Sequence, residues 1–312
     1  MKKILVTGGA GFIGSHLCDL LIEKKCKVCV IDNFSYGKKE FLPKNGGLEL
    51  YEADIRDQQR VNEIIQSFQP EVIYHLAALH HIPTCEQKPT EALSINIEGT
   101  QNILDAAGKM DGLKKIVLAS SGAVYEIVDT LLLEDSTPTV PYDIYSVSKL
   151  TCEYLLRLWS NKNNKKAYVA RIFNTIGGRE TNDHLVPDII SQLKNGKETI
   201  ELGNLEPKRS YIDVRDTSKG ILSIGELGTE KDFEIFNVGR EDEFNVKDIA
   251  SMLGTIYGTP FIIKQNEGKM RKVDRKKQQA SIEKLRSKTG WQPGYSVADG
   301  LKYALDFTLS QN

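Results

Sequence analysis

The first half of the chain alternates short apolar runs with longer segments whose apolar residues recur every three or four positions. β-branched residues are frequent in the runs, which predicts strands, and the spacing of the longer segments predicts amphipathic helices. The predicted strands are residues 3–7, 27–31, 48–51, 72–75, 115–119 and 167–172. The predicted helices are residues 12–24, 58–68, 89–107 and 142–161. Apolar runs of this kind are typical of strands buried on both faces, so we predict an α/β fold with a doubly wound parallel sheet.

The alternation of strand and helix patterns becomes less regular after about Asn174, which predicts a change of architecture. Further helices are predicted at residues 185–195, 214–227, 246–257, 281–287 and 296–308, with short strands between some of them. We therefore predict a sheet domain over residues 1–174. Residues 175–312 are predicted to form mainly a smaller lobe at the carboxyl edge of the sheet, with some segments returning to the first domain.

The composition excludes several classes of protein. Of 312 residues, 41 are Lys or Arg and 42 are Asp or Glu, so the near-zero net charge predicts neither a nucleic-acid partner nor an anionic membrane surface. No apolar run approaches the roughly 18 residues of a membrane span. Glycines from Gly8 onward interrupt the apolar start, which favours a strand over a signal peptide and predicts a cytoplasmic protein. Cys26 and Cys29 are not accompanied by a second ligand pair, so no metal site is predicted.

A glycine-rich turn comes after the first predicted strand and opens the first predicted helix. Gly8, Gly11 and Gly14 form a G-x-x-G-x-x-G pattern. Glycines allow a tight bend, a close approach of backbone to a pyrophosphate, and close packing of helix on strand. The free N–H groups at the start of the helix then bind the anion, so the turn predicts a dinucleotide site.

Asp32 at the end of the second strand predicts which dinucleotide binds. A carboxylate at this place can accept hydrogen bonds from the adenosine ribose hydroxyls, and it repels a 2′-phosphate. We therefore predict NAD rather than NADP. Lys38 and Lys39 lie nearby in the sequence and leave room for a weaker preference.

Tyr145 and Lys149 are four residues apart at the start of a predicted helix, so they share one helical face. An ammonium beside a phenol favours its ionisation, as does a positively charged nicotinamide, and the resulting phenolate is a competent general base for a hydroxyl that is being oxidised. Ser121 comes directly after a strand whose carboxyl end borders the site, where it can hydrogen-bond the same hydroxyl. Ser121, Tyr145 and Lys149 are therefore the predicted catalytic residues.

These motifs together resemble the extended short-chain dehydrogenase/reductase family, in its NAD-dependent epimerase/dehydratase group, along nearly the whole chain. The matching stretches are residues 7–16, 32–35, 54–55, 75–78, 96, 120–125, 145–149, 171–174, 185–187 and 209–211. The resemblance is closest to the UDP-glucose (UDP-galactose) 4-epimerases of bacteria and archaea. It implies a Rossmann-type fold, NAD as cofactor and a nucleotide diphosphate sugar as substrate.

The resemblance also assigns roles to individual residues. Those assigned to the cofactor, beyond the turn glycines, Asp32, Tyr145 and Lys149, are Phe12, Ile13, Asn33, Asp54, Ile55, Leu76, Ala77, Ala78, Asn96 and Ala119. Those assigned to the sugar nucleotide, beyond Ser121, are Asn174, Val186, Arg209 and Arg271, the two arginines as a pair that binds the diphosphate. Gln278 matches the position where a bulky Tyr restricts the sugar pocket in the epimerases, so we expect UDP-N-acetylglucosamine to be accepted as well as UDP-glucose.

The two residues after Ser121 predict the reaction. Dehydratases of the family have an Asp-Glu pair there and decarboxylases a Glu, whereas this chain has Gly122 and Ala123, which cannot move a proton. We therefore favour a 4-epimerase working through a transient 4-keto sugar. A dehydratase remains an alternative, because Glu126, His80 or His81 could supply the missing acid or base. Further alternatives are a UDP-glucuronate decarboxylase or epimerase and a non-catalytic NAD-binding redox sensor.

The resemblance finally implies a homodimer. The helices predicted at residues 89–107 and 142–161 would pack with their counterparts in a second copy as a four-helix bundle.

Overall fold

The computed structural model describes residues 1–44, 47–228, 231–269 and 275–311. The strands are β1 (Lys3–Thr7), β2 (Lys27–Asp32), β3 (Leu48–Glu52), β4 (Val72–His75), β5 (Lys115–Ser121), β6 (Lys166–Ile172), β7 (Asn174–Ile176), β8 (Thr199–Leu202), β9 (Lys208–Arg209), β10 (Tyr211–Asp213), β11 (Phe233–Val238), β12 (Phe244–Asn245), β13 (Ile262–Gln265) and β14 (Lys277–Gln278). The helices are α1 (Phe12–Glu23), α2 (Gln58–Phe68), α3 (Ile82–Gln87), α4 (Pro89–Leu93), α5 (Gly99–Gly108), α6 (Ile144–Asn163), α7 (Leu185–Lys194), α8 (Val214–Glu226), α9 (Val246–Tyr257), α10 (Glu283–Thr289) and α11 (Val297–Ser310).

Within the described ranges, seven strands form one sheet in the order β11-β6-β5-β4-β1-β2-β3, with parallel neighbours throughout. The order reverses between β1 and β4, and in such a sheet ligands bind outside the carboxyl ends of the strands at that point. The predicted doubly wound α/β fold is therefore confirmed.

Helices cover both faces of the sheet because the strands are apolar on both sides. In β1, Ile4 and Val6 belong to one apolar core, which includes α1, α8 and α10 residues, while Leu5 belongs to a second core with α2, α5 and α6 residues. Each of these three side chains is at most 1% exposed. Complete burial on both faces is what the unbroken apolar runs predicted.

A third apolar core lies in the carboxyl-terminal part of the chain, among α7, β8, α9 and α11. Residues after 174 also contribute to the sheet domain, since β11 pairs with β6 and α8 packs against α1. The return of these segments to the sheet brings the smaller lobe against its carboxyl edge.

The structure corrects one predicted helix. Residues 89–107 form α4 and α5, which are separated by a π-helical segment, Ser94–Glu98, and the short helix α3 precedes them. The six residues of α3 are too few to show a helical period in sequence, although Pro83 is well tolerated in a first helical turn. The wider turn matters because it contains Asn96, whose side chain reaches the loop after β4.

Candidate active site

A large cavity lies at the carboxyl ends of the parallel strands, between the sheet domain and the smaller lobe. Its volume is about 1350 Å³. A pocket for one ligand usually has roughly 300–1,000 Å³, so this cavity has room for a dinucleotide and a second, smaller ligand.

The glycine-rich turn forms one end of the cavity. Gly8 has a φ of +69°, and a Cβ atom there would lie 2.7 Å from the backbone nitrogen of Ala77. A Cβ atom on Gly14 would collide with the carbonyl group of Gly8. Both positions require glycine for these reasons, and the predicted residues Gly11, Phe12 and Ile13 also line the cavity.

Asp32 ends β2 beside this turn, where its carboxylate is held by two backbone donors. Oδ2 accepts a hydrogen bond of 2.9 Å from the N–H of Ala10, and Oδ1 accepts one of 2.9 Å from the N–H of Phe34. Burial raises the pKa of Asp32, and the two N–H donors oppose that rise. Each carboxylate oxygen can accept a second hydrogen bond, so the group remains able to bind ribose hydroxyls.

Asp54 and Asn33 lie on the same wall. The Asp54 carboxylate accepts hydrogen bonds from Arg56 Nε and Nη2, at 3.0 and 2.7 Å, and from the side-chain amide of Asn33 at 3.1 Å. The Arg56 hydrogen bond is the main reason that the pKa of Asp54 falls to about 2. The other predicted cofactor residues on the wall are Ile55, Leu76, Ala77, Ala78 and Ala119.

Ser121, Tyr145 and Lys149 come together on the wall of the cavity. Ser121 is the last residue of β5, whereas the other two lie in the first turns of α6, which begins after Asp143. The Asp143 carboxylate accepts a hydrogen bond from the Ser146 N–H, and this capping box fixes where the helix starts. The Tyr145 hydroxyl is hydrogen-bonded to Ser121.

Burial dominates the ionisation of this group in the protein alone. It raises the pKa of Tyr145, and the Ser121 hydrogen bond acts in the opposite direction. Burial also lowers the pKa of Lys149, which is 4% exposed and donates a hydrogen bond of 2.8 Å to the carbonyl oxygen of Ala119. The Lys149 ammonium lies 5.9 Å from the centre of the Tyr145 ring, so the two residues lie on one face of α6, as their spacing predicted. The predicted fall in the phenol pKa is opposed by desolvation.

The smaller lobe provides the other end of the cavity. Asn174, Val186, Arg209 and Gln278 line it, as predicted for sugar-nucleotide residues, and Arg271 lies outside the described residues. Gln278 is 9% exposed, and β14 pairs with β9, which brings it beside Arg209.

Asn96 is not among the described residues that line the cavity, although direct contact with the cofactor was predicted for it. Its side chain accepts a hydrogen bond of 2.8 Å from the N–H of Leu79 and donates one of 2.9 Å to the carbonyl oxygen of the same residue. Asn96 is 1% exposed and so lies behind the wall, where it fixes the backbone of a lining residue.

The dehydratase alternative depends on Glu126, His80 or His81 as an acid or base. Glu126 and His80 are badly placed for proton transfer. Glu126 is absent from the described lining of the cavity. His80 Nε2 accepts from the Asn182 side chain at 3.1 Å, and its ring is also hydrogen-bonded to the Ala78 backbone. Burial lowers the pKa of His80 to about 3, which keeps its ring neutral. His81 lies on the wall and is bonded to Thr84.

Arg275 lines the cavity but was not predicted. Its Nη2 donates to the carbonyl oxygens of Ala123 and Tyr125, at 2.6 and 2.7 Å, and its own carbonyl oxygen accepts a hydrogen bond of 2.7 Å from Arg209. Arg275 therefore joins the loop after Ser121 to the end of the cavity that contains Arg209. Several Lys and Arg residues surround Arg275 in the sequence, so nothing in the sequence distinguishes it from them.

Glu180 and His184 were also missed. Their spacing of four residues is a pattern usually sought on helices, but here it occurs in the loop between β7 and α7. Both residues line the cavity.

Neither a metal centre nor a membrane span occurs in the described parts of the chain. In them, no three His, Cys, Asp or Glu side chains are grouped so that they could bind a metal ion. No helix there is both long enough and apolar enough to cross a membrane.

Comparisons with known proteins agree with this geometry. The profile of the NAD dependent epimerase/dehydratase family matches residues 4–239. A UDP-glucose 4-epimerase of Corynebacterium glutamicum is 30% identical over 94% of this chain and 92% of its own length, and a UDP-N-acetyl-alpha-D-glucosaminuronate decarboxylase of Bacillus cytotoxicus is 30% identical over 80% and 78%. A crystal structure of the UDP-glucose 4-epimerase of Thermotoga maritima, with UDP-glucose, is 30% identical, covers 99% of each chain and has a TM-score of 0.89.

NAD is the cofactor of this group of proteins, and the residues of this chain fit it. The tight glycine turn lines the cavity at the start of α1, where free N–H groups suit a pyrophosphate, and the Asp32 carboxylate is placed for an unphosphorylated ribose. The family match, the similar relatives and the arrangement of Ser121, Tyr145 and Lys149 all indicate the same family. The chain belongs to the NAD-dependent epimerase/dehydratase family of enzymes, within the extended short-chain dehydrogenases/reductases that act on nucleotide sugars.

Proposed function

We propose that the protein is a UDP-sugar 4-epimerase that interconverts UDP-glucose and UDP-galactose and also accepts the N-acetylated pair. The observation that supports this most directly is the surroundings of Ser121. The residue is hydrogen-bonded to Tyr145 within the cavity, and its successors Gly122 and Ala123 have no group that could move a second proton.

The chain's own residues suit oxidation and reduction at one sugar carbon. Tyr145 removes the proton of the C4 hydroxyl, Ser121 hydrogen-bonds the same oxygen, and the buried Lys149 ammonium stabilises the phenolate. NAD, when bound, supplies the chemistry of accepting the C4 hydride and returning it. Epimerisation then needs only a cavity in which the ketone can turn over before Tyr145 gives the proton back.

Packing disfavours an acid at the position after Ser121. A Cβ atom on Gly122 would lie 2.9 Å from Cζ of the Phe173 ring, so a carboxylate there would require the ring to move. Glu126 and His80, two of the groups that kept the dehydratase open, are also placed unfavourably. These contacts favour the epimerase over a dehydratase or decarboxylase that uses the usual acid after this serine.

For the substrate we propose that Arg209 binds the diphosphate and that Asn174 and Val186 contact the sugar nucleotide. Guanidinium groups form paired hydrogen bonds with phosphate oxygens, which suits Arg209, and Arg271 keeps its predicted place in the same role. Gln278 is proposed as the side chain that admits the acetamido group. Asn96 is proposed to position Leu79 rather than to touch the cofactor.

The test is to incubate the purified protein with UDP-glucose, UDP-N-acetylglucosamine and UDP-glucuronate in turn and to identify the products by NMR. We expect UDP-galactose and UDP-N-acetylgalactosamine from the first two. A 4-keto-6-deoxy sugar would identify a dehydratase, and loss of carbon dioxide from UDP-glucuronate a decarboxylase. Complete absence of turnover would favour the redox-sensor alternative.

We also propose that the protein forms a homodimer through α6. Val147, Tyr154 and Leu158 lie seven and four residues apart on this helix, and so share one face. They are 40%, 56% and 65% exposed, which is unusual for large apolar side chains arranged in a stripe. A second copy that covered the stripe would give the four-helix arrangement expected from the family.

A further inference from the structure

A carboxylate and an imidazole are paired on the cavity wall, in the loop between β7 and α7. His184 Nδ1 lies 2.5 Å from Oε1 of Glu180. The Glu180 side chain is 4% exposed and that of His184 is 36% exposed, so the carboxylate lies behind the imidazole and the ring reaches the open space. A carboxylate in this position keeps a proton on Nδ1 and leaves Nε2 to exchange a proton with a ligand.

The pair borders the loop beyond β4, which also packs against Tyr145. The centre of the His184 ring is 5.7 Å from that of His80, which comes after Leu79 in the loop beyond β4. Leu79 packs in the same apolar cluster as Tyr145. All of these residues line the one cavity, so the imidazole and the phenol face a common ligand space.

The loop that contains the pair is held at both ends. Arg179, just before Glu180, has a φ of +70° and forms an ion pair of 2.7 Å with Asp19 of α1. At the other end His184 is the N-cap residue of α7. Side chains used for proton transfer need such fixed supports, because small displacements are costly to the reaction rate.

The neighbouring histidine differs from His184 in its bonding. His80 uses its ring in hydrogen bonds to Asn182 and to the Ala78 backbone, which tie two loops together. His184 has a buried carboxylate instead, the arrangement that orients a histidine for acid–base work.

We propose that His184 transfers a proton to and from the sugar carbon next to C4, with Glu180 as its positioning residue. This rests on the proposed function, because only the ketone formed at C4 makes the hydrogens on C3 and C5 acidic. Nε2 takes the proton, the C–H electron pair forms a C=C bond with C4, and the carbonyl oxygen becomes an enolate oxygen. Return of a proton from the imidazolium reverses these changes, so no further oxidant or reductant is needed.

The enzyme therefore has a second activity, the exchange of hydrogen at C3 or C5 with solvent. Epimerisation at C4 alone moves one hydride away and back, and it puts no solvent hydrogen on carbon. The test is to run the purified holoprotein with UDP-glucose in D₂O and to follow deuterium at C3 and C5 by NMR and mass spectrometry. We expect deuterium at one of these carbons over the time in which the C4 epimers equilibrate.

Variants of three residues identify the side chain that transfers the proton. His184→Asn should lower deuterium incorporation by about 10²-fold or more, the size expected for a lost general base, while C4 epimerisation changes by less than about tenfold. Glu180→Gln should lower incorporation less than His184→Asn does, because the imidazole is still present. His81→Asn is the comparison variant, since it removes an imidazole 5.6 Å from the His184 ring.

The outcomes separate this inference from the proposed function. Epimerisation at C4 without deuterium at C3 or C5 would overturn the role of His184 alone. Incorporation that survives in His184→Asn, or that is lost only in His81→Asn, would overturn it as well. Absence of any C4 oxidation would overturn both proposals, since the acidifying ketone would never form.

Discussion

Glu153 and Arg171 form an ion pair sealed from solvent, directly behind the end of β5 that carries Ser121. Arg171 Nε and Nη2 donate to the two Glu153 oxygens at 3.0 and 2.7 Å, and both side chains are 4% exposed. Ser120, the neighbour of Ser121, donates to the same carboxylate at 2.5 Å. The Arg171 guanidinium also lies 4.5 Å from the centre of the Tyr125 ring. One network thus joins β5, β6 and α6 under the active site.

We predict that Glu153→Gln destabilises the protein by about 3 kcal/mol, because removing one partner leaves the other charge buried without compensation. The measurement is the free energy of unfolding in urea. Asp306→Asn is the matched control, since it breaks an ion pair with Lys302 in which both side chains are more than half exposed. It should cost less than about 1 kcal/mol. Similar losses in the two variants would show that burial of the pair is unimportant.

Tyr145→Phe removes the phenolic hydroxyl that we propose takes and returns the proton of the sugar hydroxyl. We expect kcat to fall by about 10²-fold or more, because a general acid/base is lost, while NAD still binds. Steady-state rates and calorimetric titration with NAD check the two parts. Near-normal turnover in this variant would remove Tyr145 from the mechanism.

Asp32 should make the protein bind NAD more tightly than NADP. Its carboxylate lies beside the glycine turn, where a 2′-phosphate would meet a second negative charge. Lys38 is not among the described lining residues of the cavity, and its ammonium lies 5.7 Å from the Phe41 ring. Calorimetry on protein freed of nucleotide should therefore give a lower Kd for NAD than for NADP. Asp32→Asn should reduce the difference between these two Kd values. Equal Kd values in the unaltered protein would contradict the assignment.

Gln278→Tyr should harm the N-acetylated substrate selectively. Gln278 lies 9% exposed on the cavity wall, so a larger ring there would occupy space needed by the acetamido group. The loss in kcat/KM for UDP-N-acetylglucosamine should exceed that for UDP-glucose by at least about tenfold, since even a single misplaced methylene costs about 1–3 kcal/mol in a closed pocket. Equal losses on both sugars, or no loss, would show that another residue sets the sugar size.

Leu158→Glu should convert a dimer into a monomer. A charge at Leu158, the most exposed residue of the α6 stripe, would be buried without a partner in the proposed interface. Light scattering after gel filtration measures the mass. Ile262→Glu is the control, because Ile262 is equally exposed, at 68%, but lies on β13. A monomer in the unaltered protein, or a dimer that persists in Leu158→Glu, would exclude this interface.

The sequence by itself determined the parts of the protein that depend on neighbours along the chain. The apolar runs predicted six of the sheet strands nearly to the residue, because strands buried on both faces leave an unbroken local pattern. The glycine turn with Asp32, and the four-residue spacing of Tyr145 and Lys149, were equally readable, since a strand, a turn or one helical face fixes their geometry.

Only the tertiary structure decided the contacts between distant segments. Arg275 meets Ala123 across 152 positions of the chain, and Asn182 meets His80 across 102. Neither pair has a local signature. The same holds for Asn96, which lies in the π-helical turn and binds Leu79 behind the cavity wall. It also holds for β11, which pairs with β6 although about 60 residues separate them in sequence. Secondary-structure period is a local property, whereas a cavity wall is assembled by packing between elements, so the pair of Glu180 and His184 became visible only once the loops were in place.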